Sequence, residues 1–237
     1  MGNFAKRSGA VLAMTAAALA AVLALGGCSG PPHPRTITLT LIRHAESEAN
    51  AAGVLDTSVP GPGLTEKGRA QAEELSKQLS HNHFDGVFAS SMARSQQSAA
   101  PLARELGLQV QVLPGLQEIN AGWFDDKPGA MVNAPYLLAP MAWIRGDRTA
   151  AIPGSIDGDQ FNEEFSAAVQ QIYATGDKLP VAFAHGASIM TWTLMNVKNS
   201  REELMTEHPL PNNGRVVVTG SPGTGWKLVD WDGIRAF

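Results

Sequence analysis

From Thr36 onward the chain alternates short β-type runs with longer runs at helical spacing. That alternation constrains the fold more than any other feature. Thr36-Ile-Thr-Leu-Thr-Leu-Ile42 is β-branched and alternating, and Gln109 to Leu113 reads as a further strand. Gly86 to Ser90 is a short apolar strand and Pro180-Val-Ala-Phe-Ala184 is apolar throughout. Side chains alternate across a strand, so a fully apolar run has both faces covered. Between the strands, Thr65 caps a helix reaching about Ser80, with Ala72, Leu75 and Leu79 on one face. Ser91 to Leu106 reads as a helix that Pro101 is expected to kink or restart. Asp159 to Thr175 places Phe161, Phe165, Ala168 and Ile172 at helical spacing and stops at Gly176. Ala187 to Val197 is an apolar helix, and Ser200-Arg-Glu-Glu203 reads as the capping box of a short one ended by Pro209. Arg215 to Thr219 and Trp226 to Asp230 predict a closing hairpin or sheet edge. The expected fold is α/β, a three-layer sandwich with a mostly parallel central sheet and helices on both faces. Residues 36–237 form its single domain, and 120–158 read as an irregular substrate-side segment rich in Gly and Pro.

The amino end is a different kind of sequence. Lys6 and Arg7 precede an uncharged run from Ser8 to Gly27 that closes on Leu25-Gly26-Gly27-Cys28. A basic start, an apolar middle and small residues before a break describe a secretory signal over 1–27. Cys28, the single cysteine, follows two glycines as in a bacterial lipobox. The expectation is an exported lipoprotein, anchored through lipid on Cys28 at the outer side of the cell membrane. The alternative is an uncleaved membrane-spanning anchor, for which the run is just long enough. Residues 28–35 then read as a Pro-rich, extended linker. The net charge of −4 offers no basic face for nucleic acid, so an anionic substrate has to be held by a local basic cluster.

Ligands of open α/β sheets sit at the carboxyl ends of the strands. There the sequence places Arg43-His44, Ser90 to Arg94, Gln117-Glu118 and His185-Gly186. Two arginines, two histidines and one glutamate on one rim suit phosphoryl transfer. Planar guanidiniums bind the oxygens in pairs, a neutral imidazole attacks, and a carboxylic acid protonates the leaving oxygen. A metal site fits less well, because the candidate ligands are far apart in sequence and two arginines would repel a cation. No G-x-S-x-G elbow is present, and the glycines at 63 and 68 are followed by Arg69 rather than the Lys of a P-loop.

Arg43-His44-Ala45-Glu46-Ser47-x-x-Asn50 resembles the first signature of the histidine phosphatase (phosphoglycerate mutase-like) superfamily. Leu64 to Ala72, Ser90 to Ala99, Leu116-Gln117-Glu118 with Gly122-Trp123, and Ala184-His185-Gly186 resemble its later blocks, in order, over about residues 36–235. The resemblance implies that His44 is the phosphorylated nucleophile and Glu118 the proton donor. It implies that Arg43, Arg94 and His185 bind the phosphoryl group, with Asn50 as a further donor. His185 counts among the catalytic residues too. No metal or cofactor is implied. The partner is a small phosphorylated substrate or a phosphoprotein. Ala45 replaces the usual glycine, and Glu118-Ile-Asn-Ala-Gly122 lacks the arginine of the mutase branch. Gly186 follows the second histidine where the acid phosphatase branch has Asp. The expected activity is therefore metal-independent phosphomonoester hydrolysis through phosphohistidine. The alternatives are a mutase-like phosphotransferase and a non-catalytic lipoprotein that binds phosphorylated ligands.

Plainer readings stand beside these. A Glu after a strand is usually a solvated residue or a cap, and a His after an apolar strand is usually satisfied core. Ser47 reads equally as a cap, and Asp125 and Asp126 are weaker substitutes for Glu118. Trp123, Phe124, Trp143, Arg145 and Arg148 read equally as pocket lining or as the packing of a long loop.

Overall fold

The computed structural model describes Met1 and residues 34–237. The expected signal over 1–27, Cys28 and most of the 28–35 linker lie outside the described residues. From Pro34 the elements run β1 (Ile37–Arg43), α1 (Glu48–Ala52), β2 (Val54–Leu55), α2 (Glu66–Leu79), β3 (Gly86–Ala89) and α3 (Ala93–Leu106). They continue through β4 (Val110–Val112), β5 (Lys127–Pro128), α4 (Gly129–Ile144), α5 (Gly158–Ala174), β6 (Pro180–Ala184) and α6 (Gly186–Asn196). α7 (Glu203–Glu207), β7 (Arg215–Ser221) and β8 (Gly225–Trp231) close the chain.

Among the described residues, six strands form one sheet in the order β4-β3-β6-β1-β7-β8. β4, β3, β6 and β1 are parallel, and β7 and β8 add an antiparallel edge. The two apolar strands, β3 and β6, sit inside the sheet, as their sequences require. Period-two alternation divides the core. Leu39, Leu41, Phe88, Ala182 and Ala184 pack in one cluster with Phe165, Ile172 and Trp192 from α5 and α6. Ile42, Val87, Ala89, Val181 and Phe183 pack in another with Leu75, Leu79, Ala99 and Leu102 from α2 and α3. Helices therefore cover both faces, as the strand–helix alternation predicts.

The local signals mostly act as read. Thr65 Oγ1 accepts from Gly68 N at 2.9 Å and caps α2, and Asp157 caps α5 through Gln160 N. Three expectations are corrected. The segment 120–158 is not irregular throughout, because α4 occupies sixteen of its residues. Pro101 does not restart α3, which runs through it as one helix. Ser200 caps nothing: α7 begins after Glu202, with no side-chain cap.

The chain enters the domain tied down. Arg35 donates to the Tyr173 carbonyl near the end of α5, and its guanidinium lies 4.4 Å from the Tyr173 ring centroid. The linker's last residue is thus part of the folded surface.

Candidate active site

The strand order sets the site. β6 lies between β1 and β3, so His185 leaves the sheet between His44 and Ser90. His44 N donates to Ala184 O at 3.0 Å, and Ser90 N donates to Phe183 O at 3.0 Å. These bonds extend the parallel ladders one step and fix the three side chains side by side. The two imidazole centroids are 5.1 Å apart.

His44 is buried and held in one tautomer. Its Nδ1 lies 2.7 Å from the Ala45 carbonyl, which can only accept. Nδ1 therefore carries the proton, and Nε2 keeps its lone pair. Burial, then Arg94, pushes this imidazole down to about 3, with Arg43 adding to the shift and the Ala45 hydrogen bond opposing it. His44 is a neutral base at any ordinary pH. Ala45 is fully buried against Leu64 and Ala72, so its methyl fits where the family usually has glycine.

Both arginines reach this imidazole. Arg94, in the first turn of α3, directs Nε to His44 Nε2 at 3.2 Å. Its Nη2 is anchored on Asp56 O at 3.1 Å and on Met92 Sδ at 3.0 Å. Arg43 donates from Nη1 to Leu210 O at 2.6 Å. Its guanidinium lies along the start of α6 because residue 186 is glycine. A Cβ there would sit 3.3 Å from both Arg43 Cδ and Nε. Burial lowers the pKa of both guanidiniums, and Glu118 is the charge that most offsets it for each.

His185 is fully buried, with Nε2 2.7 Å from Ser90 Oγ. Ser90 Oγ also accepts from Met92 N at 3.2 Å. In the tautomer where Ser90 Oγ donates its own proton to His185 Nε2, the ring proton sits on Nδ1. Burial, then Arg94, His44 and Arg43, holds His185 well below its usual value, so it too is neutral. Three buried nitrogens around His44 have no hydrogen-bond partner among the described residues: Arg43 Nε, Arg94 Nη1, which has Asp56 Oδ1 at 4.0 Å, and His185 Nδ1. Buried polar groups are nearly always paired, so three orphan donors at one site mark the place of an acceptor.

Glu118 follows the short 3₁₀ turn after β4 and reaches the amino end of α6. Its Oε1 accepts from Ser188 N at 2.8 Å and Ile119 N at 3.0 Å, and Oε2 accepts from Ala187 N at 3.1 Å. The cap reading of this residue therefore holds, yet Glu118 also lines the cavity with His44, Arg43 and Arg94. A carboxylate has about four lone-pair sites, and Oε2 uses one of its two on α6. Asn50 forms a capping box with Ser47, with Asn50 N to Ser47 Oγ and Ser47 N to Asn50 Oδ1 both at 3.2 Å. Asn50 also lines the cavity, which has a volume of about 500 Å³.

The structure thus brings Arg43, His44, Asn50, Arg94, Glu118 and His185 together. It does not bring the aromatic and basic residues of 120–158. Trp143 is buried against Phe161, Arg145 pairs with Glu202 and Arg148 faces Asp159. Trp123 and Phe124 do not line the cavity. Asp125 is engaged by Thr57 N and Oγ1 at 2.6 and 2.8 Å, and Asp126 sits exposed in a turn. Residues that sequence reasoning passed over also belong here: Ser90 on His185, Asp56 on Arg94, and Asn212, which donates to His44 O at 3.0 Å and Asn50 Oδ1 at 3.1 Å. Ser90 alone carried a signal, by following an apolar strand.

Comparison with known proteins places the chain among phosphatase relatives and folds. A Mycobacterium tuberculosis PE-PGRS family protein is 43% identical over 216 residues, spanning 84% of this chain and 37% of its own length. The adenosylcobalamin/alpha-ribazole phosphatase of Salmonella typhimurium is 39% identical over 122 residues, or 52% of this chain and 59% of that protein. The chain thus spans less than two thirds of either relative. Among solved structures, a mycobacterial glucosyl-3-phosphoglycerate phosphatase matches with a TM-score of 0.69 at 22% identity, covering 84% of this chain and all of that one. Phosphoserine phosphatase from Entamoeba histolytica matches at 0.66 and 22% identity, covering 83% and 96%. These two show the shared fold. Residues 39–233 match the family model, and the chain belongs to the histidine phosphatase superfamily, branch 1.

Proposed function

We propose that the protein is a phosphomonoester hydrolase working through a phosphohistidine at His44. The observation that carries this reading is the neutral, tautomer-fixed His44 Nε2 ringed by three orphan donors. A phosphoryl group supplies acceptor oxygens for Arg43 Nε, Arg94 Nη1 and His185 Nδ1 while its phosphorus faces Nε2. In the first step the Nε2 lone pair forms the N–P bond as the bond to the ester oxygen breaks. Glu118, acting as the acid of this step, gives a proton to that oxygen and the alcohol leaves. In the second step water attacks phosphorus, Glu118 takes a proton from it, and the N–P electron pair returns to Nε2. Phosphate departs, and enzyme and Glu118 are restored. Arg94 Nε already points at Nε2, so the same donor meets the phosphoryl oxygens in both steps.

A mutase has to return phosphoryl to a second organic acceptor. The chain lacks the mutase-branch arginine after Glu118, which favours hydrolysis. The test is phosphate release from p-nitrophenyl phosphate with EDTA present, beside His44→Ala. Turnover that persists in EDTA and drops at least about 10⁴-fold in the variant supports the reading. Equal activity in a folded His44→Ala protein refutes it. We further propose that the chain is exported and lipid-anchored through Cys28, on the sequence of residues 1–28.

A further inference from the structure

The cavity that holds His44 extends past the phosphoryl position, where two amides stand among Ala49, Gly53, Val54, Leu55, Gly129 and Ala130. Asn133 on α4 and Asn212 before β7 both line it. The Asn133 side chain is exposed at the cavity and makes no hydrogen bond to any described residue, so its amide has both a donor and an acceptor to offer. Its place is prepared by Gly129, one turn earlier. A Cβ on Gly129 would lie 3.0 Å from Asn133 Nδ2 and 3.2 Å from its Oδ1. Asn212 uses its Nδ2 on His44 O and Asn50 Oδ1, and its Oδ1 remains an acceptor.

The charges of the same wall are as informative. Among the described residues, Arg43 and Arg94 are the cations lining the cavity, and both are occupied by the phosphoryl position. The other charged residues there, Asp56 and Glu118, are acidic. Arg145 and Arg148 are turned to Glu202 and Asp159, and Lys127 on β5 does not line the cavity. A second anionic group on the substrate would meet two carboxylates and no cation. Uncompensated like charges at close range oppose recognition. A hydroxyl both donates and accepts, which is what unpaired amides match.

We propose that this wall selects phosphomonoesters of uncharged, hydroxyl-bearing alcohols, the polyol and sugar phosphates, and that Asn133 is a specificity-determining residue. The inference rests on the hydrolase reading and names its substrate class. It separates this chain from relatives whose names place a carboxylate on the substrate.

The test uses a matched pair. Glycerol 3-phosphate and 3-phosphoglycerate differ by a hydroxymethyl in place of a carboxylate. The full chain is expected to favour glycerol 3-phosphate in kcat/KM by about tenfold or more, the factor that corresponds to 1.4 kcal/mol. Asn133→Lys supplies the missing cation and is expected to move the ratio toward 3-phosphoglycerate by a similar factor. A wild-type preference for 3-phosphoglycerate overturns the proposal. So does an unchanged ratio in folded Asn133→Lys protein. Titration of both esters into His44→Ala protein reads the same preference as a ratio of Kd values without turnover. Failure of the hydrolase reading therefore shows as absent turnover, and failure of the specificity shows as the wrong order of affinities.

Discussion

The proposed mechanism gives Glu118 a second duty beside its cap on α6, and one substitution separates the two. Its carboxylate receives three backbone N–H groups, two of them from the first turn of α6. In Glu118→Gln the remaining carbonyl oxygen can keep Ser188 N and Ile119 N. The new NH₂ then faces Ala187 N, a donor against a donor. Loss of an N-terminal cap costs about 0.5–2 kcal/mol, and a stranded buried donor about 1–3 kcal/mol. The two overlap, so roughly 1–3 kcal/mol is expected. For a domain of this size each kcal/mol lowers Tm by about 2–4 °C, which predicts a fall of roughly 2–12 °C. The chemical duty is read by changing the leaving group. An alkoxide needs the proton, and turnover of glycerol 3-phosphate should drop about 10²–10⁴-fold. p-Nitrophenolate leaves without help, so that ester should lose far less. The assay is steady-state kcat/KM on both esters beside a thermal melt. Equal losses on the two esters would refute the proton-donor role and leave Glu118 as a cap. An unchanged melt would refute the cap.

The two histidines predict an acid limb in stability. His44 titrates at about 3 in the folded chain against 6.5 when unfolded, and His185 is depressed in the same direction, so the unfolded chain binds the protons first. Their contribution is complete above pH 6.5 and is lost as pH falls, at about 1.4 kcal/mol per unit for His44 down to about pH 3. Denaturant unfolding at about pH 7 and 4.5 should show a loss smaller by roughly 2–3 kcal/mol in His44→Gln. Parallel losses would show that His44 is not kept neutral by the fold. For the proposed anchor, Cys28→Ala should remove the chain from the lipid-labelled fraction, and unchanged labelling would refute a lipid on that residue.

Most of the sheet was legible because burial on both faces leaves an unbroken apolar run, as in Pro180 to Ala184. α4 was not, for an equally physical reason. A helix shows in sequence through contrast between its faces, and Gly129 to Ile144 has none. Met131 and Leu138 are 74% and 70% exposed, while Val132, Tyr136 and Trp143 are buried, so apolar residues occupy every side. Pro135 and Pro140 then read as breaks. His44 and His185 were legible because each directly follows a strand, and Arg94 and Glu118 because each comes within a few residues of one. Their support was not, since Asn212 on His44 O and Asp56 O on Arg94 come from loops whose path no local pattern records. The Glu-Glu of residues 202–203 misled as a capping box, because the short helix starts three residues beyond Ser200.

The central position of β6 also sets the order in which the molecule can come together. The Arg94–His44 contact closes a span of 50 residues, and Ser90–His185 one of 95. β6 joins β1 and β3 from far down the chain, so those partners have to wait for it. Contacts of such separation bear a loop-closure entropy before they return any stability, and parallel sheets gather slowly for that reason. Until Pro180–Ala184 inserts between its neighbours, Leu41 and Phe88 belong to two open edges, and His44 has no Ala184 carbonyl to hold its backbone. Regain of turnover during refolding would therefore follow closure of the sheet and trail the formation of the local helices.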